Sequence, residues 1–453
     1  MSYLDLLNLL NLPTKRKFNK FSKSRYDTKE IGYNGTMRKL ALFLILIPVG
    51  PVRAESGWGT SLPEALATAK ASGKTVFAAF TAPWCYSCYY MERNVFPSQA
   101  FKDAAGGMVL VRVDVDQPEG RALQDKHRVR FLPSFLIFDA QGKEAGRIVG
   151  EQRPQDFLAQ LRAYAAPAAA SEEERAVSRL DGFLRRDDLS GAAAYAAKPG
   201  PAALKSLQAR PDWRRLELRL ALKRKPTVEA LKAMAELNDD CDFAYDLMSA
   251  LKGKLALPSL RLLRPRIEMW AERRYWVQPA QRCADFRSGV EAMADYYDAL
   301  ADAPVKAALL ERAAAQLSRE SERLGVGRDR NLDDNRRFFL EAAGKDKELE
   351  ELYPRLAQAY PSDYVYAYRF AKWLAGKRRP GDALPWIEKA DKLCYGANRL
   401  AVTKVHAEIL DSLRRRAKAM ALLRREVKAY GGRLPKETKP LEELLASLSS
   451  RTK

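Results

Sequence analysis

Histidine is almost absent from this chain: 453 residues hold only His127 and His406. Two imidazoles so far apart in sequence argue against a histidine-based metal centre. Cysteine is scarce as well. Cys85, Cys88, Cys241, Cys283 and Cys394 are too few and too unevenly spaced for a disulfide-rich scaffold. Setting Cys85 and Cys88 aside leaves three, an odd number. Cys241 and Cys283 could bridge in an oxidising compartment, but sequence does not place them in space, and the plain reading leaves all three buried or incidental. The apolar run from Leu40 to Val49 is too short to span a bilayer comfortably. Basic residues interleaved with aromatics, the mark of a nucleic-acid surface, are missing too, so no nucleic-acid partner is expected.

What the chain does have is length and positive charge. At 453 residues it is too long for one typical domain, and 47% hydrophobic with 30% charged residues is a globular composition. The net charge of +21 falls unevenly, about +7 on residues 1–54, +1 on 55–166 and +13 on 167–453. A basic excess can serve nucleic acid, anionic lipid or acidic partners; the plainer account is a solvated, Arg-rich helical surface.

Residues 1–36 show no fold. Met37 opens an orderly pattern: Arg38-Lys39, the apolar run, then Val52-Arg53-Ala54. Those are the three parts of a secretory signal, so residues 37–54 read as a signal peptide and 1–36 as a non-native extension ahead of the true start. The rival is a membrane anchor with a short cytosolic tail. Cleavage after Ala54 would put the mature protein in the periplasm or outside the cell.

The chemistry concentrates at Thr81-Ala82-Pro83-Trp84-Cys85-Tyr86-Ser87-Cys88. The apolar run Thr75–Phe80 before it reads as a buried strand, and Tyr89–Phe96 after it as a helix with no breaker until Pro97. The pair therefore opens a helix at the end of a strand. Free N–H groups and the dipole of a helix N-terminus stabilise a thiolate, the reactive form of cysteine. The arrangement suits thiol–disulfide exchange, with Cys85 as nucleophile and Cys88, one turn in, as resolving thiol. A zinc half-site, copper handling or a permanent disulfide are the competing readings of the pair.

This stretch resembles the active site of the thioredoxin superfamily, where Trp-Cys-x-x-Cys follows a central strand. Phe131-Leu132-Pro133-Ser134 resembles the family's second landmark, a cis-proline that faces the pair and helps hold the substrate chain. The resemblance runs over roughly residues 57–166. It extends to a hairpin turn at Asp139-Ala140-Gln141-Gly142, to Gly150, and to the element order α-β-α-β-α-β-β-α. It implies substrate contacts at Trp84, Leu132 and Pro133, a redox-active Cys85–Cys88 disulfide, and no cofactor or metal. Two departures stand out. Tyr86-Ser87 replaces Gly-Pro, which leaves the direction of electron flow open. Ala79 occupies the position, six residues before Cys85, where thioredoxins keep a buried acid. Glu92, four residues after Cys88, lies on the same helical face. The C-terminal thioredoxin domain of DsbD-type reductases is similar in having an acid at that offset. Glu92 thus stands as a proton relay or as a solvated surface glutamate.

Ala165–Ser171 is a linker by composition, so residues 55–166 are expected to fold alone and 172–453 to form an all-α domain, either helical repeat or bundle. Within 331–430 small and large apolar positions recur. Ala371, Leu374, Ala383 and Ile387 return 36 residues later as Ala407, Leu410, Ala419 and Leu423. Leu349, Tyr353 and Leu356 make a weaker copy. The period resembles degenerate tetratricopeptide repeats, whose helix pairs bury their faces only by stacking; a bundle with chance spacing is the alternative. Residues 172–330 show no clear period. The expected function is an extracytoplasmic thiol–disulfide oxidoreductase acting on protein thiols and disulfides with a redox partner, its helical region binding a protein partner. The other class is a helical scaffold with a non-catalytic module.

Overall fold

The computed structural model describes residues 57–165, 171–237, 241–252, 255–279 and 281–450. The segment expected to extend and export the chain, residues 1–54, and the linker residues 167–170 lie outside them.

The sheet grows from the most apolar stretches. β2 (Thr75–Thr81) is buried on both faces and forms the centre. It runs parallel to β3 (Met108–Asp114) and antiparallel to β4 (Ser134–Phe138), which hairpins onto β5 (Glu144–Val149). A two-residue strand, β1 (Trp58–Gly59), adds to the far side of β3, giving the order β1-β3-β2-β4-β5. Helix α1 (Leu62–Ser72) starts where the Ser61 side chain accepts from the Glu64 N–H, and stops at Gly73, whose φ of 67° suits a residue without Cβ. α2 (Tyr86–Asn94) leaves the end of β2. α3 (Gln99–Ala105), capped by Ser98, was not expected from the sequence; it lets Phe101 enter the core. α4 (Pro118–Lys126) joins β3 to β4, and α5 (Pro154–Ala165) closes the domain. Strand alternation gives the sheet two cores: Phe80, Val111, Val113 and Leu136 on one face, and Phe77, Met91, Phe135 and Phe157 on the other.

Every described element from Glu172 onward is a helix. Ser171 starts the first one with a capping box to Glu174. Five helix hairpins share one turn. Asp187, Ala301, Gly344, Arg378 and Arg414 each take a left-handed φ between 55° and 65°. After each, the next N–H reaches a carbonyl five residues back, as in Lys345 to Leu340, Arg379 to Leu374 and Arg415 to Leu410. This bond satisfies carbonyls that a helix end leaves orphaned. The recurring positions Ala371, Leu374, Ala383, Ile387, Ala407, Leu410, Ala419 and Leu423 are all buried, as are Leu349, Tyr353 and Leu356. They lie on the successive helices Asp346–Ala359, Val365–Gly376, Pro380–Leu393, Gly396–Ser412 and Arg416–Tyr430. One apolar core continues from Leu222 to Ile409.

The described residues gather into one compact unit, with the helices seated against the sheet domain. The contacts converge on the end of the sheet where α2 begins. The Ala397 N–H donates to the Asp116 carbonyl at 2.8 Å, and the Tyr395 hydroxyl donates to the Asp114 carboxylate at 2.7 Å. The approach is close enough that a Cβ on Gly396 would stand 2.0 Å from that Asp116 carbonyl oxygen, so only glycine fits.

Candidate active site

β2 delivers Cys85 to the C-terminal edge of the sheet, and α2 begins there with Cys85 as its N-cap residue. The Cys88 N–H donates to Cys85 Sγ at 3.1 Å, which spends one of the free N–H groups of the helix terminus on sulfur. Cys85 and Cys88 are joined in a disulfide, and each is 4% exposed. Reduction would leave the Cys85 sulfur at the positive end of α2, which favours the thiolate.

Trp84, next to Cys85 in the chain, is 37% exposed, and Phe131, two residues before Pro133, is 61% exposed. Leu132 is half-buried and Pro133 buried, and the peptide bond between them is cis. The Trp84 indole N–H donates to Asp116 Oδ1 at 3.2 Å. Asp116 is buried, and its carboxyl is pushed up to about 6, by that burial first and by the charge of Asp114 as a further raising cause, against the Trp84 hydrogen bond. The sequence reading leaves Asp116 out; its signal was the acidic step Asp114-Val115-Asp116 where β3 ends.

Glu92 is placed in an ion pair. Arg112 Nε and Nη2 donate to its two carboxylate oxygens at 2.9 and 2.7 Å. Arg112 stands opposite Ala79 in the β2–β3 register, the position where the family resemblance implies an acid. Among the described contacts neither Glu92 oxygen bonds to a sulfur.

The residues between the cysteines face the helical region. The Tyr86 hydroxyl donates to Asp285 at 3.3 Å, and the Arg287 guanidinium lies 4.6 Å from its ring centroid. Asn331 donates to the Tyr86 carbonyl at 2.9 Å and to Glu151 at 3.1 Å. Glu151 is buried and also bonded to Ser87; burial first, then the charge of Asp285, holds its carboxyl well above the usual range. Arg369 reaches the Trp84 carbonyl, Arg330 stacks 4.1 Å over Tyr89, and Arg93 pairs with Asp329. No sequence signal could have found this socket, because its members come from segments far apart in the chain, around 84–93, 151, 285–287 and 329–369. It gives Tyr86-Ser87 a role that Gly-Pro could not fill.

Residues 62–165 match a family model described as a thioredoxin-like domain. Over 106 residues the chain is 39% identical to a protein named thiol:disulfide interchange protein DsbD from Ralstonia nicotianae, covering 23% of this chain and 17% of that one. The DsbD of Vibrio cholerae is 36% identical over 106 residues, covering 22% and 18%. The chain thus spans less than a fifth of the length of these curated relatives. Among solved structures, a thioredoxin from Thermus thermophilus is 30% identical, covering 25% of this chain and 92% of its own, with a TM-score of 0.23. The DsbH oxidoreductase is 24% identical, covering 26% and 92%, with a TM-score of 0.22. The molecule is a thioredoxin-like α/β domain with DsbD-like relatives, followed by helices.

Proposed function

We propose that the chain is an extracytoplasmic thiol–disulfide oxidoreductase. The observation that carries this is the Cys85–Cys88 disulfide at the N-cap of α2. In the reducing direction the Cys85 thiolate attacks a substrate disulfide, forming a mixed disulfide and releasing one substrate thiolate. Cys88, losing its proton, then attacks Cys85 Sγ. The second substrate thiolate leaves, and the Cys85–Cys88 disulfide re-forms. Two electrons pass to the substrate, and a partner dithiol must restore them. Trp84, Leu132 and Pro133 are the surface on which the substrate chain would lie. Glu92 enters as an anchor of α2, since a relay there would first have to break its pair with Arg112.

Export belongs to the same reading. Its support is the basic, apolar and small-residue pattern of residues 37–54 together with the DsbD name of the relatives. N-terminal sequencing should find a mature chain beginning near Glu55. We read the hairpins between 330 and 430 as tetratricopeptide-like pairs that position a protein partner, and 55–166 as a module that folds alone, with Tyr86 and Tyr89 newly exposed.

The deciding experiment is reduction of insulin by dithiothreitol with catalytic amounts of the full chain. Precipitation of the insulin B chain well above the uncatalysed rate is expected. The scaffold reading, favoured by the burial of both cysteines, predicts no acceleration.

A further inference from the structure

The helix Arg416–Tyr430 and its two flanking turns concentrate charge of one sign. From Leu413 to Arg433 the chain holds eight Arg or Lys residues and one acid, Glu426. This short stretch carries +7, a third of the chain's net charge of +21. The helix sorts its residues by face. Ala419, Leu422 and Leu423 are buried among the neighbouring helices. Ala417, Lys418, Ala421, Arg424, Arg425 and Lys428 are exposed, spaced three, four and seven apart, and so share the other face. Exposed Arg414 and Arg415 stand in the turn before the helix and exposed Arg433 in the turn after it.

Few acids answer these cations. Glu426 is buried and taken by Arg399 and Arg425. On the preceding helix, Gly396–Ser412, Glu408 pairs with Lys404 and Asp411 with Arg416. The following helix, Pro435–Ser450, carries Glu437, paired with Arg121, and Glu442 and Glu443 near its middle, with Lys436 and Lys439 ahead of them. Among the described residues no ion pair or hydrogen bond engages the side chains of Lys418, Arg424 or Lys428.

We propose that the exposed face of the helix Arg416–Tyr430 docks on an anionic lipid surface, its Lys and Arg side chains among the headgroup phosphates. Like charges crowded on one face repel, and an anionic partner relieves that repulsion. The rest of the face selects lipid. None of the exposed large hydrophobic side chains lies between 413 and 433. A specific protein interface is anchored by such side chains, and single-stranded nucleic acid stacks on aromatic ones. What remains is recognition by charge alone, spread along about 15 Å of helix from Lys418 to Lys428. That fits a field of equivalent anionic headgroups, which basic clusters on a helix face bind. Ala417 and Ala421 are short, so the long side chains around them reach one plane together. The hairpin is also fastened to the sheet domain. Glu437 pairs with Arg121 at 3.4 Å and Lys436 lies 3.6 Å from Asp125, both on α4. A membrane that holds this face therefore holds the Cys85–Cys88 domain beside it.

The test is co-sedimentation of residues 55–453, a compact unit by themselves, with lipid vesicles. Vesicles of phosphatidylglycerol mixed with phosphatidylcholine should retain the protein at low salt and release it at ~1 M salt, where the screening length falls to ~3 Å. Pure phosphatidylcholine vesicles should not retain it. Each cation at such a surface contributes roughly fivefold to binding, so Lys418→Gln, Arg424→Gln and Lys428→Gln together should weaken it about a hundredfold. The control removes the same charge elsewhere. Lys205, Lys232 and Arg319 are exposed on three other helices, and Lys205→Gln, Lys232→Gln and Arg319→Gln together should change binding little. Equal losses in the two triple variants overturn the docking face, because net charge alone would then account for binding. Retention by both kinds of vesicle alike, or by neither, overturns it as well. Duplex DNA held more tightly than the anionic vesicles, through the same three residues, would make this a nucleic-acid face and overturn the lipid.

Discussion

The two disulfides of this chain are built for different ends. Cys85–Cys88 spans three residues, caps a helix, and directly follows the exposed Trp84 in the chain. Cys241–Cys283 spans 42 residues and ties the segment ahead of the helix Phe243–Lys252 to the turn ahead of Phe286–Ala299. The Cys283 N–H donates to the Arg274 carbonyl and not to a sulfur, and Cys283 belongs to the large helical core. Cys394 completes the contrast. It is a buried free thiol pushed up to about 12, mainly by that burial. Reactivity follows from where a sulfur meets a helix terminus. Bonding to a second sulfur does not confer it.

That comparison breaks most sharply at the first pair. Cys85→Ser should abolish exchange. Cys88→Ser should accumulate reducible covalent adducts on a non-reducing gel, because the resolving sulfur is gone. Alkylation of Cys88→Ser should reveal a thiol more acidic than the ~8.5 of free cysteine. Adducts that form through Cys88 in the Cys85→Ser protein would reverse the roles.

The second pair should matter for stability and not for turnover. Closing a 42-residue loop restricts the unfolded chain by about 4 kcal/mol on the chain-entropy account. Cys241→Ala with Cys283→Ala should lower the urea-unfolding free energy by that order and leave insulin reduction largely intact. Lost activity in a protein that is still folded would make this pair part of the redox path.

The sequence carried the sheet domain further than the helices, for physical reasons. β2, the pair and Pro133 are legible because short apolar runs and fixed spacings are local. Hairpins between 330 and 430 were legible from buried alanines and leucines one period apart. Those before 330 were not, although Asp187 and Ala301 make the same turn as Gly344. The turn itself is no reliable stop signal, since Arg378 and Arg414 make it as well as Gly344; what residues 172–330 lack is a fixed spacing of the apolar positions. The socket around Tyr86 was illegible for another reason: Asp285, Arg287 and Asn331 meet it only after both regions have folded.

Asp116 sharpens the comparison more gently. Its carboxyl is raised from 3.8 to about 6, so the folded state binds the proton more tightly than the unfolded chain does. The stability this contributes is full below about 4 and is lost as pH rises through about 6. Asp116→Asn keeps an acceptor for the Trp84 indole and should flatten that slope. The difference in tryptophan fluorescence between parent and variant should titrate near pH 6. A fluorescence difference without pH dependence from 4 to 7 would count against a buried, titrating Asp116.

Glu92 carries the smallest expected effect. A positioned proton relay contributes ~10²–10⁴-fold to the step it serves. An ion pair with side chains 26% and 38% exposed contributes only ~0.2–1 kcal/mol to stability. Both Glu92 oxygens accept from Arg112, whose guanidinium also lies 4.2 Å from the Trp58 ring centroid, so the pair fastens α2 to β3 and the sheet edge. Glu92→Gln keeps the length and one acceptor. It should lower stability by a fraction of a kcal/mol and leave the Cys88 resolution step near the parent rate when mixed-disulfide decay is followed by rapid quench. Arg112→Met should lower stability at least as much, since it removes the same pair and the contact with the Trp58 ring as well. A hundredfold slower resolution in Glu92→Gln, absent from Arg112→Met, would return Glu92 to the relay. The pair with Arg112 would then be a resting arrangement that opens when the disulfide is reduced.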